Sequence, residues 1–184
     1  MVSVFSPVME PQPSLPLPQK KQASGTLAII VGGAIAGFND LIFAFVLYGW
    51  KGADVSSVWN NVTAVAPRIC RMIASGLLGP EARQGGAGMV VLGIALHLAI
   101  ALIWAAIFYA ASCFIPFLKR QAVLCGLLYG IVVWLGMNAI VVPLSAIHGK
   151  FPPALTDWKV WIAIVGHMVL IGLPIALAVR RWSK

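Results

Sequence analysis

The sequence predicts an all-α membrane protein: a four-transmembrane-helix bundle with an interfacial helical segment between helices 1 and 2. Three observations lead there. Four apolar runs, at about 26–48, 87–113, 121–144 and 158–181, fill most of the chain, and each reaches the ~20 residues that cross a bilayer. Hydrophobic residues make up 60% of the 184 and charged residues only 10%, with a mean hydropathy of +0.93. A soluble domain carries about 25% charged residues. Finally, Asp40, His97 and His167 fall inside the apolar runs. Hydrocarbon tolerates such groups at a cost of several kcal/mol, so each needs a partner or a purpose.

Residues 1–24 read as a disordered tail, because Pro7, Pro11, Pro13, Pro16 and Pro18 remove backbone donors and few large apolar residues are available to bury. The membrane domain is 25–184. Lys20 and Lys21 precede the first run in the manner of a signal peptide, but the run continues past Ala34-Ile35-Ala36, so an uncleaved first helix is expected. That helix carries Gly33-x-x-x-Gly37, the spacing that lets two helices approach closely. Asp40 follows Gly37 by three and Ala36 by four, which puts it on the same face and turns it into the bundle.

The 54–79 segment is only moderately apolar. Trp59, Val62, Ala66, Ile69, Ile73 and Leu77 recur at helical spacing, with Arg68, Arg71 and Ser75 elsewhere on the helix. This is the pattern of a helix at a membrane surface, its arginines toward lipid head groups. A cap packed over the bundle would show a similar stripe. Pro67 is expected to break the segment and begin a new helix. In the second run, Gly93, His97, Ala101, Trp104, Ala105 and Phe108 share a side. The third carries Gly126-x-x-x-Gly130, then Trp134 and Asn138, with Pro143 kinking or ending it. The fourth carries Gly166-His167 and a mid-helix Pro174.

Consecutive helices run in opposite directions at ~1.5 Å per residue. On that basis Asp40, His97 and His167 each lie about 4–5 Å from the bilayer centre, on one side, and Asn138 about 8 Å on the same side. Asn39 neighbours Asp40. All four helices thus offer a polar group to one layer. Its chemistry supports several readings. It can be a hydrogen-bonded network that stabilises or gates the bundle without catalysis. It can relay protons, or line a small-solute path, in a transporter that four helices would complete as a homo-oligomer. His97 and His167 can also be imagined as the two axial ligands of a haem, although no further pattern asks for that or any other cofactor. Arg68 and Arg71 could hold a phosphate head group for lipid chemistry, but no nucleophile–base constellation accompanies them.

The net charge of +8 does not imply nucleic acid, because most of the 13 basic residues sit in small groups near the ends of the apolar runs rather than in a stripe. The partner expected is the lipid bilayer. Seven basic residues, Lys20, Lys21, Lys119, Arg120, Arg180, Arg181 and Lys184, fall on the side of the two termini and six, Lys51, Arg68, Arg71, Arg83, Lys150 and Lys159, on the other; the seven lie in compact groups directly beside the runs, which predicts cytoplasmic termini. Three scattered cysteines make no disulfide framework or metal motif. Cys113 and Cys125, near the same end of adjacent helices, are expected to pack as small apolar residues.

Several segments in combination carry a resemblance: Ile73-Ala74-Ser75-Gly76-Leu77-Leu78-Gly79, His97 with Ile100-Ala101, Gly126-Leu127-Leu128-Tyr129-Gly130, Met137-Asn138, and Val141-Val142-Pro143-Leu144-Ser145-Ala146. Over about 25–180 the chain resembles a family of small uncharacterised four-helix inner-membrane proteins of bacteria. The resemblance implies a four-helix protein of the bacterial inner membrane. It implies no reaction, cofactor or catalytic residue.

Overall fold

A computed structural model describes residues 24–50, 55–148, 151 and 153–183, with the backbone alone over 55–60. The tail expected at 1–24 lies outside the described residues but for Ser24. Four helices are long and apolar enough to cross a membrane: Gly25–Gly49 (span 1), Ala87–Phe114 (span 2), Ala122–Leu144 (span 3) and Trp158–Trp182 (span 4). They pack as an antiparallel bundle, and no strand occurs among the described residues. Ser24 caps span 1 by accepting from the amide of Leu27 (3.2 Å), and Asp157 caps span 4 by accepting from that of Lys159 (2.9 Å). Each satisfies a donor that the first helical turn leaves unpaired.

The outer surface is that of a membrane protein. Phe38, Val91, Ile103, Leu128 and Val165 are each more than half exposed. In water so continuous an apolar surface would drive association; in a bilayer it faces acyl chains. The chain is a multi-pass membrane protein. Its interior is built from small residues and a few rings: Ala28, Ala36, Ala105, Ala122, Ala176 and Gly32 pack around Phe108, Val133, Ile175 and Val179.

Glycine decides which helices touch. A methyl group on Gly33 would sit 2.9 Å from Leu102 Cα, and one on Gly37 would sit 2.9 Å from Ala101 Cβ, so this pair of glycines joins span 1 to span 2. Gly126 and Gly130 do the same between spans 3 and 4, where a methyl on Gly130 would collide with the backbone of His167 and Met168. Helices in lipid gain little from hydrophobicity when they associate, so such close packing is what holds them together.

The helix Val55–Leu78 crosses one end of the bundle. Gly49, at the end of span 1, meets Val62; Gly93 of span 2 lies against the Cys70 carbonyl; and the amide of Ala146, just past span 3, donates to Gly76 O at 2.8 Å. The helix runs on through Pro67, so the break expected there does not occur. Its inner face is set by Cys70, Ala74 and Ser75, all buried, while Leu77 is 61% exposed. Small side chains form that face because span 2 comes close enough at Gly93 to leave no room for larger ones.

Burial also raises the Cys70 thiol above its ordinary pKa, leaving less of the reactive thiolate at any given pH. The three cysteines are free; Cys113 is exposed, and Cys70 and Cys125 are buried. N-ethylmaleimide should therefore label Cys113 quickly in detergent and spare Cys70 until the protein unfolds. Equal labelling rates for Cys113→Ser and Cys70→Ser variants would show that the helix does not dock as described.

Candidate functional site: an intramembrane aspartate between two histidines

Asp40 comes from span 1, His97 from span 2 and His167 from span 4. Asp40 Oδ2 lies 3.6 Å from His97 Nε2, and Oδ1 lies 3.9 Å from His167 Nδ1. The three side chains are only 14–18% exposed. One carboxylate thus addresses two imidazoles from two other helices.

Both histidines are also tied to backbone. His97 Nε2 lies 3.0 Å from Gly37 O, and His167 Nδ1 lies 2.8 Å from Ala163 O. A carbonyl can only accept, so each of these nitrogens must carry a hydrogen and donate it. That fixes the tautomers of the neutral rings. Nδ1 of His97 and Nε2 of His167 are then the positions left to gain or release a proton. The distances to Asp40 exceed those of direct hydrogen bonds, so the carboxylate acts on the rings through its charge or through a bridging water.

The sequence explains this convergence locally. Gly33 and Gly37 bring span 2 in so closely that His97 reaches the carbonyl of Gly37, and Asp40 sits one turn further along the same face. His167 opens a π-helical stretch, His167–Gly172, and a second stretch, Met137–Val141, lies in span 3. Each is followed by a proline inside the helix, Pro174 and Pro143. A proline ring crowds the carbonyl four residues back, and a widened turn relieves that clash.

The triad lines a cavity of about 90 Å³ together with Gly37, Ile100, Ala101, Trp104, Val133, Met137 and Ile171. A water occupies about 30 Å³ of liquid, so a few waters fit. Trp104 closes one side: its indole donates to Met137 Sδ at 3.4 Å, its carbonyl accepts from Tyr129 Oη at 2.6 Å, and the Tyr129 ring packs edge-on against Phe108 at 4.9 Å. Trp104 and Met137 went unnoticed as cavity residues, although Gly136 signals the approach: a methyl there would strike the Trp104 ring.

The other residues singled out from sequence are placed differently. The Asn138 amide donates to Trp134 O at 2.9 Å, within its own helix, and neither Asn138 nor Asn39 lines the cavity. Arg68 lies on the connecting helix in a wide cleft with Tyr48, Asn61 and Arg83. Arg71 is outside that lining, and its Nε is buried with no hydrogen-bond partner among the described residues.

The arrangement does not fit a haem. Axial ligation needs the lone pair of one nitrogen on each ring, with the porphyrin plane between them. Here the Asp40 carboxylate lies within 4 Å of both rings, and the cavity of about 90 Å³ beside them is far too small for a porphyrin. Among the described residues no group of three or more His, Cys, Asp or Glu side chains could hold a metal ion.

No family model, curated protein or solved structure matches this chain. No family is therefore identified, and what stands of the resemblance noted from sequence is the four-helix architecture with its four candidate spans.

Proposed function

We propose that this chain is a non-enzymatic integral membrane protein whose polar layer of Asp40, His97 and His167 stabilises or gates the helix bundle. Asn39 and Asn138 adjoin the layer through their neighbours Asp40 and Met137. The observation that carries the reading is the sharing of one carboxylate by imidazoles from two other spans, at 3.6 and 3.9 Å. A group shared in this way links three helices whose mutual affinity otherwise rests largely on packing.

A second reading, a proton-coupled or small-solute path, is favoured by one feature. The cavity beside the triad shares Ile100 and Met137 with a larger apolar cavity of about 290 Å³ beneath the connecting helix. Movement of those two side chains would join them. One substitution separates the readings. Asp40→Asn should lower stability in detergent by about 1–3 kcal/mol, the cost of leaving buried imidazoles without the charge they face, and leave passive proton flux in proteoliposomes unchanged. If flux is high in the natural chain and abolished by Asp40→Asn, the transport reading replaces the structural one.

The proposed setting is the inner membrane of a bacterium with both termini in the cytoplasm. Both ends of the bundle domain lie together: Gly25 is against Tyr109, and Lys119 Nζ donates to Ser183 O at 3.1 Å. Lys119, Arg120, Arg180 and Arg181 therefore gather at one end of the bundle, the end that positive charge holds on the cytoplasmic side. The connecting helix then rests on the opposite face, in keeping with an interfacial position.

A further inference from the structure

One face of the connecting helix is polar at its start and apolar at its finish. Asn61, Val65, Arg68, Ile69 and Met72 line the wide cleft that Tyr48 and Arg83 complete. Met72, Ile73, Gly76 and Leu77 continue the same helical spacing into the apolar cavity of about 290 Å³, whose other walls are span 2 at Leu96 and span 3 at Val141. Met72 belongs to both. A basic opening therefore adjoins a hydrocarbon-lined chamber along one helical groove, with Met72 as their common wall.

Among the described residues no carboxylate lies within salt-bridge distance of Arg68 or Arg83; the ion pairs present are those of Asp40. Both arginines are exposed, and Arg83 Nε donates to the buried Ser75 hydroxyl at 3.4 Å, which anchors it beside the helix. Guanidinium groups pair with phosphate through several donors at once. The apolar chamber holds no such donor set, and in a bilayer what fills an apolar cavity beside a helix end is an acyl chain.

We propose that this groove binds one anionic phospholipid, with its phosphate at Arg68 and Arg83 and one acyl chain passing Met72 into the cavity between the connecting helix and spans 2 and 3. The site contains none of the Asp40 cluster, although its cavity shares Ile100 and Met137 with the cavity beside that cluster. Arg71, expected from sequence to share the head group, takes no part, since it lines neither the cleft nor the cavity.

Native mass spectrometry of the full chain in detergent tests this, with phosphatidylglycerol and phosphatidylcholine of identical chains as probes. Phosphatidylglycerol should be retained preferentially. Arg68→Gln with Arg83→Gln should reduce that retention by roughly fivefold for each charge removed, while Arg68→Lys with Arg83→Lys should keep most of it. Gly76→Leu should weaken both lipids alike, because a side chain there enters the cavity; its first carbon has no neighbour nearer than 3.6 Å. Thermal melting checks that each variant is folded; were the glutamine pair to fail, the lysine pair and Gly76→Leu carry the test. Equal retention of the two lipids overturns the proposal. So does retention untouched by the glutamine pair or by Gly76→Leu, displacement of the lipid by inorganic phosphate alone, or a second copy of the chain occupying the groove.

Discussion

Gly130→Leu should abolish the folded bundle or lower its melting temperature more than any other single substitution considered. Gly130 faces span 4 where span 4 presents backbone rather than side chain: Met168 Cα and the His167 carbonyl occupy the space a side chain would need. A methyl on Gly172 would likewise collide with the Gly126 carbonyl and sit 2.9 Å from Gly130 Cα. Two π-widened helices thus meet along bare backbone. A flexible side chain could swing away from an intruder, but a main chain can yield only by parting the helices. Overpacking a core usually costs about 1–3 kcal/mol, and the absence of any yielding atom places Gly130→Leu at or above the upper end. The control is Gly88→Leu, at a glycine with nothing within 4 Å. Detergent melts followed by circular dichroism should leave the Gly88 variant like the natural chain and the Gly130 variant far below it. If the two melt together, spans 3 and 4 do not touch at these glycines. The effect reaches the site as well, because displacing the His167 backbone carries its ring away from Asp40.

Much of this architecture was legible because hydrocarbon imposes blunt rules. Length and hydropathy alone mark the four helices, and spacing from Gly37 turns Asp40 inward. Helix rise and alternating direction place Asp40, His97 and His167 at one depth, and the structure brings those three together. Rise along an axis says nothing about rotation around it. Asn138 has a suitable depth, yet its amide returns to Trp134 O in the same helix. The connecting helix shows a different limit. Its apolar stripe suggested a helix at the membrane surface that Pro67 would interrupt. The close approach at Gly93 favours Cys70, Ala74 and Ser75 on its inner face, and packing against span 2 carries the helix past the proline. The π stretches were half visible: Pro143 and Pro174 announce a disturbance in their helices, but whether a helix answers a proline by kinking, ending or widening depends on its neighbours. Likewise Arg83 joins Arg68 through a fold in the chain that no periodicity records.

A double-substitution cycle on Asp40 and His97 should give a coupling of about 1.5 kcal/mol, near the upper limit measured for polar contacts between membrane helices and well above their ~0.6 kcal/mol average. The reason is the shared charge. Most interhelical contacts join one donor to one acceptor, and the unfolded chain in the membrane finds substitutes for either. Here one carboxylate faces two imidazoles on separate helices, at 3.6 and 3.9 Å, and each ring is already held by a carbonyl at 3.0 or 2.8 Å. Removing His97 by His97→Phe leaves Asp40 with one imidazole; removing Asp40 by Asp40→Asn leaves two rings facing a neutral amide. Each single change leaves a desolvated group short of a partner, which is the costly way to break a buried pair. Once Asp40 is neutral, losing His97 should cost much less, and the two penalties should sum to more than the double variant shows. The same cycle between Asp40 and His167 should give a smaller coupling, in line with the longer distance. The measurement is unfolding free energy in mixed micelles for the four proteins of each cycle. Strictly additive costs in both cycles would mean that the carboxylate and the rings do not sense each other, and the polar layer would be reduced to three unrelated side chains.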